Sequence, residues 1–181
     1  TPAVLNDNPF TTEVGTTVIV KENRHGRSTN DAVRFYQVKE PVGGVGISTF
    51  ELSTTLNGNI TSSATTITLT DASEFPTSGY IVIELIDSTS GSVDNETIQY
   101  TGKSSNDLTG CTRGTSAPSD GKTPVATNAN AHSSGAKVYG SYIITKIDTT
   151  IPYAGQPSTL TVSDSFSFTL ANAATSIATG G

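Results

Sequence analysis

Through the middle of the chain, apolar and polar side chains alternate in short runs, each closed by residues that turn the backbone. Thr66, Thr68 and Thr70 alternate with Ile67 and Leu69, the period of a strand with one buried face. Asp71 to Gly79 supplies Pro, Ser and Gly for a reversal, and the apolar run Tyr80 to Ile86 predicts a second strand. Glu96 to Tyr100 alternates again, Gly102 to Asp107 is a polar reversal, and Leu108 opens a short strand bounded by Gly110 and Gly114. Gly135 leads into a last strand, Lys137 to Tyr139. The pattern places Ile67, Leu69, Phe75, Ile81, Ile83, Ile98, Tyr100, Leu108 and Val138 in one buried cluster.

The flanks carry the same signals. Thr16 to Lys21 and Ala32 to Val38 read as strands separated by a His25-Gly26 turn, and Pro41 to Gly46 reads as a glycine-rich loop before Ser48 to Leu52. Ser141 to Asp148 and Ser165 to Leu170 follow the central region. Val18, Val20, Val33, Phe35, Ile143, Ile147, Phe166 and Phe168 are the expected core of these flanks, a cluster of their own.

The central phrases TSSATTITLTDASEFPTSGYIVI, ETIQYTG, LTGCTRG and AHSSGAKVY, in that order, give this region its character. Together they resemble repeated small β modules in virion structural proteins of tailed bacteriophages, especially those of marine cyanobacteria. Each phrase has a mechanical reading: Phe75-Pro76 closes a strand, Gly79 permits a tight turn, and Gly110 and Gly114 free the backbone around Cys111 to Arg113. A looser likeness extends to the flanks. There NPFTTEVGTTVIV and HGRSTNDAVRF, within Asn8 to Phe35, look like partners of a closing strand DSFSFTLANAATS at Asp164 to Ser176. The resemblance implies an all-β chain in which a β-sandwich or barrel domain, residues 1–52 plus 138–181, is interrupted by a second small β module, residues 53–137. Two tandem modules with an irregular tail are the alternative. A guest domain is tolerated where its two ends lie close together at an exposed loop.

Composition agrees with strands. Of 181 residues, 34% are hydrophobic and only 14% charged, and Trp and Met are absent. Thr, Ser, Val, Ile and Gly dominate where helices would need blocks of Ala, Leu, Glu and Lys, so almost no helix is expected. With Thr1 in front and Gly180-Gly181 behind, the chain is expected to be a processed product or part of a longer one. Removal of an initiator methionine is the simpler origin of Thr1.

Charge narrows the partners. A net charge of −6 makes a nucleic-acid surface an unfavoured reading, because phosphate binding needs clustered Lys and Arg. The one basic cluster, Lys21, Arg24, Arg27 and Arg34, could dock on an acidic neighbour or on DNA inside a portal or tail. The plainer reading is a solvated hairpin face paired with Glu22 and Asp31. No apolar stretch reaches the roughly 20 residues of a membrane span and no signal-peptide pattern opens the chain, so a soluble protein with no membrane contact is expected.

Candidate chemistry is sparse. Cys111 stands alone, so no intrachain disulfide can form, which suits assembly in a reducing host cytoplasm. Arg113 is near enough to activate the thiol, but neither histidine lies in a nucleophile signature, and a packed, inert cysteine is expected. His25 reads as a turn residue and His132 as a solvent-facing residue of the AHSSG loop. Asp87, Asp94 and Glu96 surround a loop, without the regular spacing by which a calcium loop gathers about six or more oxygens. Glu74, Glu84 and Glu96 are the carboxylates that could pair for glycoside hydrolysis, with no Trp to hold a sugar. No catalytic, cofactor-binding or metal residue is assigned, and no cofactor is expected.

The resemblance therefore implies a non-enzymatic virion subunit, a capsid decoration, neck, tail or baseplate component that cements neighbouring virion proteins as a homo-oligomer. Its ends, Thr1 to Thr12 and the small-residue tail Ala171 to Gly181, are expected to be extended arms that contact other chains. The alternative is a host-surface or carbohydrate-binding module of a tail fibre. Such a module should expose aromatic and amide side chains, and Tyr153 is the main aromatic expected on a loop.

Overall fold

A computed structural model describes residues 4–5, 9–12, 14–22, 25–36, 50–86, 93–118, 125–150, 162–174 and 178–180. The chain is all-β, and the described residues contain no helix. Its strands are β1 (Phe10–Thr12), β2 (Gly15–Lys21), β3 (Ala32–Val33), β4 (Ser53–Thr55), β5 (Thr66–Thr68), β6 (Gly79–Ile86) and β7 (Val93–Tyr100). They continue as β8 (Gly102–Ser104), β9 (Asp107–Thr109), β10 (Lys137–Gly140), β11 (Tyr142–Ile143), β12 (Lys146–Thr150), β13 (Val162–Ala174) and β14 (Ala178–Gly180).

Every pairing among the described residues is antiparallel, and the sheets divide along the chain. A five-stranded sheet in the order β12-β13-β2-β1-β14 is built from the two flanks. Its inward row runs Ile147, Phe166, Val20, Phe10 across four strands, and Phe168 and Val18 form the next. The central region supplies a four-stranded sheet, β4-β10-β6-β7, and a three-stranded one, β5-β9-β8. Strands β3 and β11 form a two-stranded ribbon beside them.

All nine side chains expected in the central core are buried. Of the flanking eight, Val18, Val20, Val33, Phe35, Phe166 and Phe168 are buried, Ile147 is half-buried against the core, and Ile143 is not part of it. Tyr142 and Ile144 take the inward positions instead. Three consecutive apolar residues carry no period, and the pairing of Tyr142 with Val33 decides which of them faces in.

The two expected cores are one. The buried residues form a single continuous cluster, joined by Phe10, Phe35, Phe50, Tyr142 and Phe168. Tyr142 and Phe168 lie with ring centroids 4.2 Å apart, and Phe10 and Phe50 4.7 Å apart. Gly140 makes the junction possible: a Cβ there would sit 2.8 Å from the Phe75 ring and 2.9 Å from Leu52 Cβ.

The arms expected at the ends are not arms where the chain is described. Phe10–Thr12 and Ala178–Gly180 pair with each other, Phe10 opposite Gly180, and Phe10 is fully buried. A large aromatic ring at position 10 gains more from the core than from water, which draws the segment into the sheet. Segments 37–49 and 151–161, including the Pro41 to Gly46 loop and Tyr153, lie outside the described residues.

Two outcomes test this packing. Phe168→Ala and Ile83→Ala should each lower unfolding free energy by roughly 2 to 5 kcal/mol in denaturant titrations, and losses under about 0.5 kcal/mol at both would show that other faces are buried. Deleting Thr1 to Thr12 should reduce stability by a similar amount, because it removes β1 and Phe10; an unchanged denaturation midpoint would mean that β1 adds nothing to the sheet.

Candidate functional site: a buried carboxylate cluster

Strand β7 reads ETIQY from Glu96 to Tyr100, and its alternation sends Glu96, Ile98 and Tyr100 inward. Glu96 thus lies in the same inward row as Ile83 and Val138, where a hydrophobic residue would be ordinary. Its side chain is 0% exposed. An ionised carboxylate in such a place survives only if its oxygens are filled with donors.

They are filled from three directions. Arg113 grips the carboxylate with both prongs, Nε to Oε1 at 2.8 Å and Nη2 to Oε2 at 2.8 Å. The Gly114 amide donates to Oε1 and the Asn130 amide to Oε2, each at 3.0 Å. His132 Nε2 donates to Oε2 at 2.6 Å. Arg113 gives two further donors to the carbonyls of Asn130, at 2.6 Å, and Thr61. The planar guanidinium matches a carboxylate in two parallel bonds, which lysine could not do.

Local sequence explains how the donors arrive. Gly114 has φ +60°, and a Cβ there would meet the Ala129 amide at 2.8 Å and the Thr127 carbonyl at 2.9 Å. Only glycine lets segment 127–130 cross so closely and deliver the Asn130 amide. His132 is held by a reciprocal backbone pair with Ile60, at 2.9 and 3.0 Å. Thr112, Thr115 and Thr127 meanwhile occupy the outer edge of β7, bonding the backbone of Thr97 and Gln99.

His132 is therefore buried, not solvent-facing as the AHSSG phrase suggested. The carboxylate draws the ring inward by bonding Nε2, while Nδ1 has no partner among the described residues. Burial raises the pKa of Glu96, but the His132 and Arg113 bonds and the Asn130 amide outweigh it and hold the group down to about 2, against an ordinary 4.5. With Glu96 ionised, Arg113 balances its charge.

The other candidates are engaged elsewhere. Cys111 is buried, donates from Sγ to the Leu108 carbonyl at 3.4 Å, and has its pKa pushed up to about 11 by burial, which outweighs Arg113. Arg113 is committed to Glu96 and does not activate the thiol. His25 closes its turn by accepting the Arg27 amide at Nδ1, at 2.9 Å, and its Nε2 reaches the Ser165 carbonyl at 3.3 Å. In the basic cluster, Arg27 pairs with Glu22 at 2.7 Å, Asp31 accepts the Ser28 amide at 2.7 Å, and Arg34 lies over the rings of Tyr36 and Tyr139. Lys21 is exposed, and Arg24 is outside the described residues.

Of the carboxylates weighed for metal or sugar chemistry, Glu96 and Glu84 point to opposite faces of one sheet and cannot face each other across a cleft. Glu74 is exposed and accepts a bond from Asn172 at 2.9 Å. Asp87 and the Asp94 side chain lie outside what is described, and no metal-ligating group of three acidic, His or Cys residues exists among the described residues. Comparison with protein-family models, curated proteins and solved structures found no match for this chain.

The cluster makes two measurable demands. Glu96→Gln should cost about 3 to 5 kcal/mol in urea unfolding, because it strands the Arg113 charge; Glu84→Gln should stay within about 0.5 kcal/mol. A loss under about 1 kcal/mol for Glu96→Gln would show that the carboxylate carries no structural load. The folded chain also binds the Glu96 proton more weakly than the unfolded chain, so this stability is fully present above pH 4.5 and is lost as pH falls toward 2. Wild type should lose on the order of 3 kcal/mol across that window beyond what Glu96→Gln loses, and parallel profiles would refute the linkage.

Proposed function

We propose that this chain is a non-enzymatic structural subunit of a tailed-phage particle, a capsid decoration, neck, tail or baseplate component that cements neighbouring subunits. The supporting observation is where the four phrases of the resemblance converge. The Thr61 carbonyl comes from the first, Glu96 from ETIQYTG, Arg113 and Gly114 from LTGCTRG, and His132 from AHSSGAKVY. Their most chemically capable side chains are spent on one another, out of reach of solvent. The likeness is thus one of scaffold parts, which suits a protein that works by shape.

In this reading, residues 1–52 plus 138–181 form a host β-sandwich-like domain and 53–137 an inserted module. The five-stranded sheet drawn from both flanks supports that division. Partners are other virion proteins and further copies of the chain, assembled in the host cytoplasm.

Mass spectrometry and antibody labelling of purified particles from the source phage test the reading. The chain should be present at a fixed copy number per particle and decorate one location. Abundance in infected cells with absence from purified particles would overturn it. Cys111→Ser and His25→Ala should be incorporated normally, whereas His132→Ala should reduce yield by destabilising the module.

A further inference from the structure

An open groove of about 380 Å³ runs between the ends of β6 and β7 on one side and the Asn30 turn and Ile143 on the other. None of its lining side chains is charged. Tyr80 and Gln99 are direct cross-strand partners on the face opposite Ile81 and Ile98, and Ser78 and Thr101 stand exposed beside them. The side chains of Asn30, Ser78, Tyr80, Gln99 and Thr101 make no hydrogen bond among the described residues. Two amides and three hydroxyls are therefore unspent around the rings of Tyr80 and the buried Tyr100 and the half-exposed Ile143.

The walls beneath these side chains are fixed. Asn30 holds φ 74° with its amide on the Ile144 carbonyl at 2.8 Å. The Pro118 carbonyl accepts the Ala32 amide at 2.7 Å, and the Tyr100 hydroxyl donates to the Pro76 carbonyl at 3.0 Å. Gln99 exchanges two backbone bonds with Thr112, at 3.1 and 2.8 Å. A ligand meeting such a surface orders little of it on binding, so modest contacts suffice.

We propose that this groove binds a neutral saccharide. Nucleic acid or an acidic glycan would need cations that the lining lacks, and a metal would need carboxylates. An apolar ligand would bury the free amides and hydroxyls without partners, which is costly. A neutral sugar matches both halves of the surface: its hydroxyls exchange bonds with amides and hydroxyls, and its apolar C–H face lies on Tyr80. The volume is at the low end for ligand sites and suits one or two rings. The inference does not depend on the particle assignment, because binding is read on the isolated chain.

Screening the purified chain on an array of neutral glycans, then titrating the ¹⁵N-labelled protein with the best of them, tests it, with a heparin tetrasaccharide as the charged comparison. A neutral glycan should move the amide signals of Ser78, Tyr80, Gln99 and Thr101 with millimolar affinity. Gln99→Ala, which removes an amide, and Ser78→Arg, which crowds the rim, should each weaken binding at least about fivefold while leaving the methyl signals of Ile83 and Ile98 in place. Either variant suffices if the other misfolds. No retention on any neutral glycan, shifts confined to another surface, preference for heparin, or affinity untouched in the folded variants would overturn the proposal.

Discussion

A carboxylate without water must be answered by donors, and the requirement of Glu96 organises the central half of this molecule. Its oxygens accept five bonds from Arg113, Gly114, Asn130 and His132, groups spread over sequence that has almost no other regular structure. Segments 110–118 and 125–136 contain no strand of their own. The carboxylate stands in for a sheet, giving these stretches a common anchor. The ion pair need not be worth more than a hydrophobic replacement would be; its strength lies in the penalty for any arrangement that leaves one member buried alone.

That penalty acts on conformation as much as on stability. The apolar cluster accepts many near-equivalent packings, whereas a bidentate guanidinium and two backbone amides accept one geometry. Gly114 belongs to the same constraint, since its missing side chain sets how near segment 127–130 can come. At the opposite end of the central region Lys103 does a related task, its ammonium bonding the carbonyls of Ala72 at 2.9 Å and Phe75 at 2.6 Å. Charged side chains here finish backbone that the sheets leave unpaired.

The strands with clean period-two alternation were legible before any coordinates. Ile67, Leu69 and Ile98 occupy the faces their spacing assigns. The sequence is silent where the pattern loses its period, and it misleads where a polar stretch reads as exposed. Tyr142, Ile143 and Ile144 are all apolar, so only a partner strand could choose the inward pair. His132 sits among Ser, Gly and Ala, which read as loop, and its burial follows from a carboxylate distant in sequence. A signal was present: Glu96 shares the parity of Ile98 and Tyr100, and a charge on the core side of a strand calls for a cation elsewhere in the chain. Arg113 is that cation, although in the sequence it reads first as a neighbour of Cys111. For the pairing of Phe10–Thr12 with Ala178–Gly180 the one local trace is Phe10, because the small residues of Ala178–Gly180 look alike whether they are free or paired.

The position of β2 between β1 and β13 dictates an order of events during synthesis. Every member of the carboxylate cluster has been made once residue 132 is joined and β10 once residue 140 is, so the central region can close while the ribosome is still adding the rest. Strand β2 must wait for Val162–Ala174 before its second edge is covered, and β1 waits for Ala178–Gly180. Until then a hairpin with Val18, Val20 and Phe10 on one face has only part of its eventual cover. Contacts this distant in sequence form slowly, and an uncovered strand edge invites pairing with other chains. The nascent protein is thus most open to its neighbours in the interval before residues 162–180 emerge, when strands made early are waiting for partners made late.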